Sequence, residues 1–468
     1  MARAKKEAAL TPEERLQAAL VPDWEWPYKL PENWCWTRIG NYVDYVTDYV
    51  ANGSFASLKV NVSIFKDENY ALMVKTRDFA NGFTKSLTYT DKHGYDFLSK
   101  STLHGGELIL SNIGSVGKVF RVPYFDRPMT LASNSVMVKC HNNRDYDWMY
   151  YFLLSPIGFE ELKSITTGTA VPKFNKTDLK TIPLPVPPLA EQQRIVDRIE
   201  SLFAKLDEAK EKAQAVVDSF ETRKAAILHK AFTGELSAKW REEHDVGMES
   251  WEKHLLSTVS SLQTGLMKGK KYTGKTVELP YLRVANVQDG FLRLDEIKKI
   301  NVEEKAISRY SLAVGDVLFT EGGDFDKLGR GTVWEGQIKN CLHQNHIFVV
   351  RPNPEVLNPY FLSYQAGSRY GKAYFLSCSK QTTNLASINS TQLKNFPVII
   401  PSMMEQEVII RLIDSSLEKE QQTKNIAESV LDQIDLMKKS ILARAFRGEL
   451  GTNDPSEESA VELLKQII

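Results

Sequence analysis

The sequence predicts an α+β protein with a pseudo-twofold internal repeat. Two globular β-rich α/β units are separated by two long helices that pack on one another along a narrow apolar seam. Three observations carry this expectation. A 46-residue stretch occurs twice, from Glu191 to Leu236 and from Glu405 to Leu450, aligned without a gap at an offset of 214 and identical at 18 positions. Both copies place apolar residues at helical spacing on one narrow seam. The segments before the two copies also run through the same order of β-type strands, apolar helix, polar loop and proline stop. Internal repeats divide a chain before any finer reading applies.

Taken in order, the expected parts are a helical and irregular amino-terminal segment (1–30), a first unit (31–186), a first spacer helix (187–245), a second unit (246–400), a second spacer helix (401–451) and a helical tail (452–468). Thr11-Pro12-Glu13-Glu14 reads as an N-cap and first helical turn. In the first unit the runs ELILSNIG, VGKVFRV and SVMVKC, bounded by Gly, Asn and Pro, read as strands. Tyr146 to Leu162 reads as a helix broken near Pro156. The second unit matches it piece by piece: Leu108–Val122 with Val317–Trp334, Ser133–Cys140 with His343–Val350, the apolar helix with Tyr360–Phe375, and Asn175–Pro187 with Asn389–Pro401.

In the first long helix Ile195, Ile199, Leu202, Leu206, Ala209, Ala213, Val216, Phe220 and Ile227 form the seam, and only another helix covers a seam so narrow. The second carries it through Ile409, Ile413, Ala427, Val430, Ile434, Met437 and Ile441, with Ser416, Glu420 and Thr423 intruding. A 46-residue helix is roughly 69 Å long, which suits a spacer better than a globular core. Pro187, Pro188 and Pro401 stop the helices at their starts, and Gly234 and Gly448 sit where C-terminal caps belong.

A chain of 468 residues is too long for one core. Lys plus Arg equals Asp plus Glu at 59 each, so any nucleic-acid contact must be a local patch. Cys35, Cys140, Cys341 and Cys378 are scattered, which implies neither a zinc site nor a disulfide framework and fits a reducing cytoplasm. No apolar run reaches membrane-spanning length.

Gly269 to Thr276 satisfies the P-loop pattern, yet it lacks a hydrophobic strand before it, and Pro280 follows where a helix is needed. A basic loop near DNA phosphates suits Lys268, Lys270, Lys271 and Lys275 better. Asn358-Pro359-Tyr360 resembles the N-P-P-Y turn of base-methylating enzymes, but one proline and the glycine-rich cofactor loop are missing, so helix initiation is the expected role. His141, His343 and His346 show no metal spacing. No catalytic or metal-binding residue is expected.

The polar loops carry the candidate DNA contacts, because Arg, Lys, Asn, Gln and Thr read base edges or hold phosphates. In the first unit these are Lys75, Arg77, Asn112, Ser115, Lys118, Asn134, Thr167, Thr169 and Lys173. In the second they are Lys270, Lys271, Lys275, Arg283, Asn286, Asp324, Lys327, Arg330, Gln344, Asn345, Lys380, Gln381, Thr383 and Asn384.

The whole arrangement resembles the specificity (S) subunit of a type I restriction–modification system. The resemblance rests on Ile182-Pro-Leu-Pro-Val-Pro-Pro-Leu-Ala-Glu-Gln192 leading into the first helix, on Ala231-Phe-Thr-Gly-Glu-Leu236, and on Ala445-Phe-Arg-Gly-Glu-Leu450. It implies two target recognition domains, held apart by the two long helices as an antiparallel coiled coil, that each read half of a bipartite sequence in double-stranded DNA. It also implies two methyltransferase (M) subunits using S-adenosylmethionine and two restriction (R) subunits using ATP and Mg, with no cofactor in this chain. Two competing readings stay open: an enzyme acting alone, either methyltransferase or nucleotide-binding, and a coiled-coil scaffold without DNA binding.

Overall fold

The computed structural model describes residues 11–267, 269, 274–323, 328–381 and 386–468. The chain forms two compact units. One comprises residues up to Lys212 together with Val430–Ile468, and the other is Ala213–Ser429. Each unit therefore carries one end of each long helix.

In the first unit, the strands Tyr45–Asp48, Ser135–Lys139, Leu108–Ser111 and Val119–Arg121 form, in that spatial order, an antiparallel sheet. A second sheet runs Tyr89–Thr90, Ala71–Val74, Met129–Leu131, Thr102–Leu103, with a parallel pairing of Leu72 to Met129 at its centre. Strand side chains alternate between faces, and Ile109 and Met137 of the first sheet pack on Leu72, Val74 and Leu131 of the second. The opposite face of the first sheet, with Leu108, Leu110, Val136 and Val138, packs on the helix Asn143–Leu154 through Trp148, Met149 and Phe152. That helix stops at Ser155, which caps a new helix, Pro156–Ser164. Thr11 and Glu14 form the reciprocal capping box at Pro12–Ala19.

The second unit repeats the topology. Ser260–Thr264, Ile347–Pro352, Val317–Thr320 and Gly331–Val333 stand in the same antiparallel order. Lys298–Glu303, Thr276–Leu282 and Leu342–His343 match the second sheet, again with a parallel central pairing, Tyr281 to Leu342. A short antiparallel pair closes each unit, Cys35–Arg38 with Pro183–Val186 and Glu252–Leu255 with Pro397–Ile400.

The long helices differ in one respect from expectation. The second is continuous from Met403 to Ala445, whereas the first is Leu189–Asp218 followed by Phe220–Phe232. The Ser219 hydroxyl donates 2.6 Å back to the Ala215 carbonyl, an i−4 bond that competes with the helical ladder. Within each unit the two helices run antiparallel. In the first, Asp207 meets Lys438 at 2.5 Å and Lys210 meets Asp435 at 3.3 Å. In the second, Arg223 meets Glu420 at 2.5 Å, and the Lys424 ammonium lies 4.9 Å from the Phe220 ring centre. Ile195, Ile199, Ile409 and Ile413 are fully buried. Glu420, out of place on an apolar seam, is accounted for by its Arg223 partner. Met437 is 49% exposed and does not lie in the seam assigned to it.

The repeated Glu-Gln pairs explain why those positions match. Glu191, Gln192, Glu405 and Gln406 are all buried. Gln192 Nε2 donates to the Pro187 carbonyl at 3.1 Å and Gln406 Nε2 to that of Pro401 at 2.9 Å, so each ties its helix to the preceding proline turn. Glu191 accepts from Thr452 (2.7 Å) and Arg194, which also forks onto Glu457 at 2.7 and 2.8 Å. Glu405 accepts from Ser237 and Arg241, both at 2.8 Å, and from the Trp251 indole at 3.0 Å. Each helix start thus grips the segment that follows the other helix. Gly234 and Gly448 turn the chain into those segments at φ +80° and +72°, where a side chain is strained. The tail helix Ala460–Ile467 packs Leu464 into the first unit's core, and the Ala460 N–H donates to the Asn33 carbonyl.

Candidate nucleic-acid interface

In the first unit the sheet topology brings the candidate residues to one end. Ser111, the last residue of its strand, pairs with Ser135, the first of the next. Asp48, closing the edge strand, pairs with Val136. In the second sheet Val74 and Leu131 end side by side on parallel strands, and the Ala132 N–H donates 2.9 Å to the Val74 carbonyl. Only Ala132, Ser133 and Asn134 separate the two sheets at this point. Asn134 makes the turn at φ +66°, which an Asn tolerates better than most residues. Lys75, Arg77, Asn112 and Asn134 consequently share one end of the unit.

Two loops extend that end. Thr167 and Lys173 exchange backbone bonds of 2.8 Å, which closes a hairpin whose turn includes Gly168 at φ +89°. A Cβ at Gly168 would stand 2.7 Å from the Val171 carbonyl oxygen. Ile113 pairs with Lys173, and the Gly114 N–H donates to the Pro172 carbonyl, so the Asn112–Lys118 loop lies alongside. Ser115, Lys118, Thr167, Thr169 and Lys173 are exposed together on these loops. Asn112 instead donates to the Phe174 carbonyl at 3.1 Å and holds the two loops to each other.

The second unit builds the same end from different side chains. Thr320 pairs with Ile347, and Leu282 with His343, leaving only Gln344, Asn345 and His346 between the sheets. Gly322–Gly323 pairs with Ala386–Ser387, which pairs with Lys380–Gln381 and so forms the counterpart of the Thr167–Lys173 hairpin. Arg330 donates 3.0 Å to Gln288, joining this hairpin's neighbour to the turn after Leu282. Lys268, Lys270, Lys271, Asp324, Lys327, Thr382, Thr383 and Asn384 lie outside the described residues, as does the side chain of Gln381.

The paired turns predicted around Lys75 and Arg283 are alike. The Lys75 N–H donates 2.8 Å to Asp78, and the Arg283 N–H donates 2.9 Å to Asn286. Asp78 is wholly buried, and that burial raises its pKa. Burial, with the Arg77 charge beside it, lowers that of Lys75. Asn286 is 3% exposed and spends its amide on the carbonyls of Arg293 and Glu296, so it shapes the turn, while Arg283 pairs with Glu296 and Gln288 donates to the Ala285 carbonyl. Lys275 stands at the opposite end of the Thr276–Leu282 strand from Arg283, roughly 25 Å away at 3.3 Å per residue. It pairs there with Glu304 at 2.9 Å.

Sequence reading missed three features of these ends. Lys176 pairs with Asp48 at 3.0 Å. His346 pairs with Glu321. Phe55, on the helix Phe55–Asn61, is 78% exposed. The first two pair residues far apart in sequence, which no local pattern signals. A cavity of about 710 Å³ lies in the second unit beside Leu228 and Tyr364. Its tyrosines are bonded to carboxylates, Tyr360 to Glu335 and Tyr364 to Asp414. The described residues hold no cluster of three or more His, Cys, Asp or Glu suited to a metal ion. None of their helices is long and apolar enough to cross a membrane.

Residues 41–217 and 248–431 match the family described as type I restriction modification DNA specificity domain. The chain is 26% identical over 327 residues to the type I restriction enzyme EcoKI specificity subunit of Escherichia coli (strain K12), covering 68% of this chain and 70% of that subunit. The crystal structure of the HsdS subunit from Thermoanaerobacter tengcongensis superposes with a TM-score of 0.57 at 19% identity, covering 91% of this chain and 100% of that one. A chain from a study of complex assembly and conformational transition of the type I R-M system gives 0.60 at 19% identity, with the same coverage.

Proposed function

The chain belongs to the type I restriction–modification DNA specificity family, and from that premise we propose that each unit reads one half of a bipartite duplex target through the loop-bearing end described above. Specificity subunits are the non-catalytic, DNA-recognising component of these systems. Two methyltransferase subunits and two restriction subunits dock on this one and supply the chemistry. S-adenosylmethionine belongs to the former, ATP and magnesium to the latter, and this chain needs no cofactor. The assembly works in the cytoplasm.

The observation that carries the reading is the matching of the two ends. The same strand termini, the same three-residue link between sheets and the same hairpin position recur, while the side chains on them differ: Ala132, Ser133 and Asn134 against Gln344, Asn345 and His346 in the link, and Thr167 against Lys380 at the start of the hairpin. One good bidentate contact discriminates by about 1–3 kcal/mol, so a half-site of a few base pairs is weakly read alone. Covalent linkage makes the second half-site an intramolecular event and multiplies affinity. The paired helices, acting as an antiparallel coiled coil, then set the gap between half-sites. Inserting four residues into each helix adds about 6 Å. Methylome sequencing of cells carrying that variant and the methyltransferase subunit is expected to return unchanged half-sites with a changed gap. Altered half-site bases at the old gap would refute the ruler.

A further inference from the structure

The connection that leaves the edge strand of the first sheet differs most between the two units. In the second unit it is the 11-residue stretch 265–275, which contains four lysines. In the first it is the 22-residue stretch 49–70, in which Lys59 is the only charged residue before Lys66. Polar bonds hold this connection to the interface end. Asn52 donates 2.8 Å to the Ser101 hydroxyl and accepts from the Lys100 N–H at 2.9 Å, and Ser101 in turn contacts Thr130 of the central parallel pair. Apolar packing fixes the following helix, Phe55–Asn61, through Leu58 and Val62, which pack with Met73 and Ala132. Met73 and Ala132 lie within two residues of the candidates Lys75 and Asn134. The helix is therefore fastened to the roots of the reading loops.

Its outer face presents Phe55 and Lys59, one turn apart. Ser54 caps the helix and fixes where Phe55 stands. A phenyl ring left 78% in water on a rigid helix forgoes a large burial term. Lys59 has no carboxylate within ion-pairing distance among the described residues. An aromatic with a free cation one turn away matches a duplex edge, where apolar side chains pack on thymine methyl groups or insert at base steps and lysines meet the adjacent phosphate.

We propose that Phe55 makes an apolar base contact in the half-site read by the first unit, with Lys59 on the flanking phosphate. This rests on the DNA-reading function argued above. The test uses the full chain assembled with its methyltransferase subunit and duplexes carrying the target found by methylome sequencing. Phe55→Ala should weaken binding by 5- to 150-fold, matching one good base contact, with an unchanged salt slope. Lys59→Ala should lower the slope of log affinity against log salt by about one.

Replacing thymines of the first half-site one at a time by deoxyuridine separates the two apolar modes. Equal loss in the parent and none further in Phe55→Ala marks methyl packing, and no loss alongside a weakened Phe55→Ala marks base-step insertion. Unchanged DNA affinity in Phe55→Ala overturns the proposal, as does loss of the methyltransferase subunit from the purified complex in place of lost DNA affinity. Lys173→Ala run in parallel keeps the premise separate: if it too leaves affinity and salt slope untouched, DNA reading by this end falls, not Phe55 alone.

Discussion

The two units share a scaffold and differ in what they mount on it. Strand order, the central parallel pairing, the three-residue link between sheets and the helix-start glutamates recur in both. The side chains on the interface ends do not. The buried Glu-Gln pairs that tie each helix start to its surroundings are alike, while many other positions, outward-facing ones above all, have diverged. The comparison teaches that sequence repeat and functional repeat separate here. The helices look alike because each performs the same mechanical task, and the ends look unlike because each reads a different half-site.

The comparison breaks first, and most severely, at the two helix-start glutamates. Arg241 is 10% exposed over a fully buried Glu405, whereas Arg194 is 39% exposed beside Glu191. Removing one partner of a buried pair costs about 3–5 kcal/mol. Arg194 lies over an equally buried Glu191 but is itself open to water, which can take its place while the Thr452 hydroxyl stays bonded to the carboxylate, so its loss costs less. Arg241→Ala should therefore lower the melting temperature by about 10 °C, and Arg194→Ala by no more than a few degrees. Thermal denaturation followed by circular dichroism measures both. Equal effects would mean the two locks are energetically equivalent despite their burial.

A second difference is visible only to pH. His343 of the second unit occupies the place of Leu131 in the first, each ending its strand beside the central parallel partner. Burial pushes the His343 imidazole down to about 4; its Nδ1 donates 3.0 Å to the Ile347 carbonyl, and Nε2 has no hydrogen-bond partner among the described residues. Above the unfolded value of about 6.5 both states are neutral and the full stability is present. As the pH falls from 6.5 towards 4, the unfolded chain takes up a proton that the folded chain refuses, and about 3 kcal/mol is lost. His343→Thr should flatten the stability of the chain across that window relative to the parent. Chemical denaturation at pH 7 and pH 4.5 gives the difference, and parallel pH profiles would show that His343 does not titrate as its burial requires.

Much of the frame was legible because it is local. Helix caps, proline stops and the seam are periodic patterns within a few residues, and the repeat doubled each signal. The parallel pairing of Ala71–Val74 with Met129–Leu131 was not legible, since nothing in either run records a partner 57 residues away. Neither was the division of the candidates. Lys275 and Arg283 look adjacent in sequence, but an extended strand carries them to opposite ends. Asn286 has the chemistry of a base reader, yet its amide is consumed by the turn it makes.

The smallest effect sharpens the comparison at the level of single contacts. Thr169 and Lys173 sit on the first unit's hairpin, and Lys380 on the second's, all exposed and carried on backbone that is paired. Thr169→Ala removes a hydroxyl without disturbing the hairpin bonds, which are made by the backbone of Thr167 and Lys173. It should relax specificity at one base of the first half-site by about 1–3 kcal/mol and leave the second half-site as stringent as before. Lys173→Ala and Lys380→Ala remove charge, not base contacts, so each should weaken binding evenly across sequences and lower the salt slope by about one. Competition between duplexes altered in one half-site at a time reads all three variants. Because the two hairpins occupy equivalent places on units reading different halves, Thr169→Ala loosening the second half-site would mean that the ends do not read separately, and the division of labour between the units would have to be abandoned.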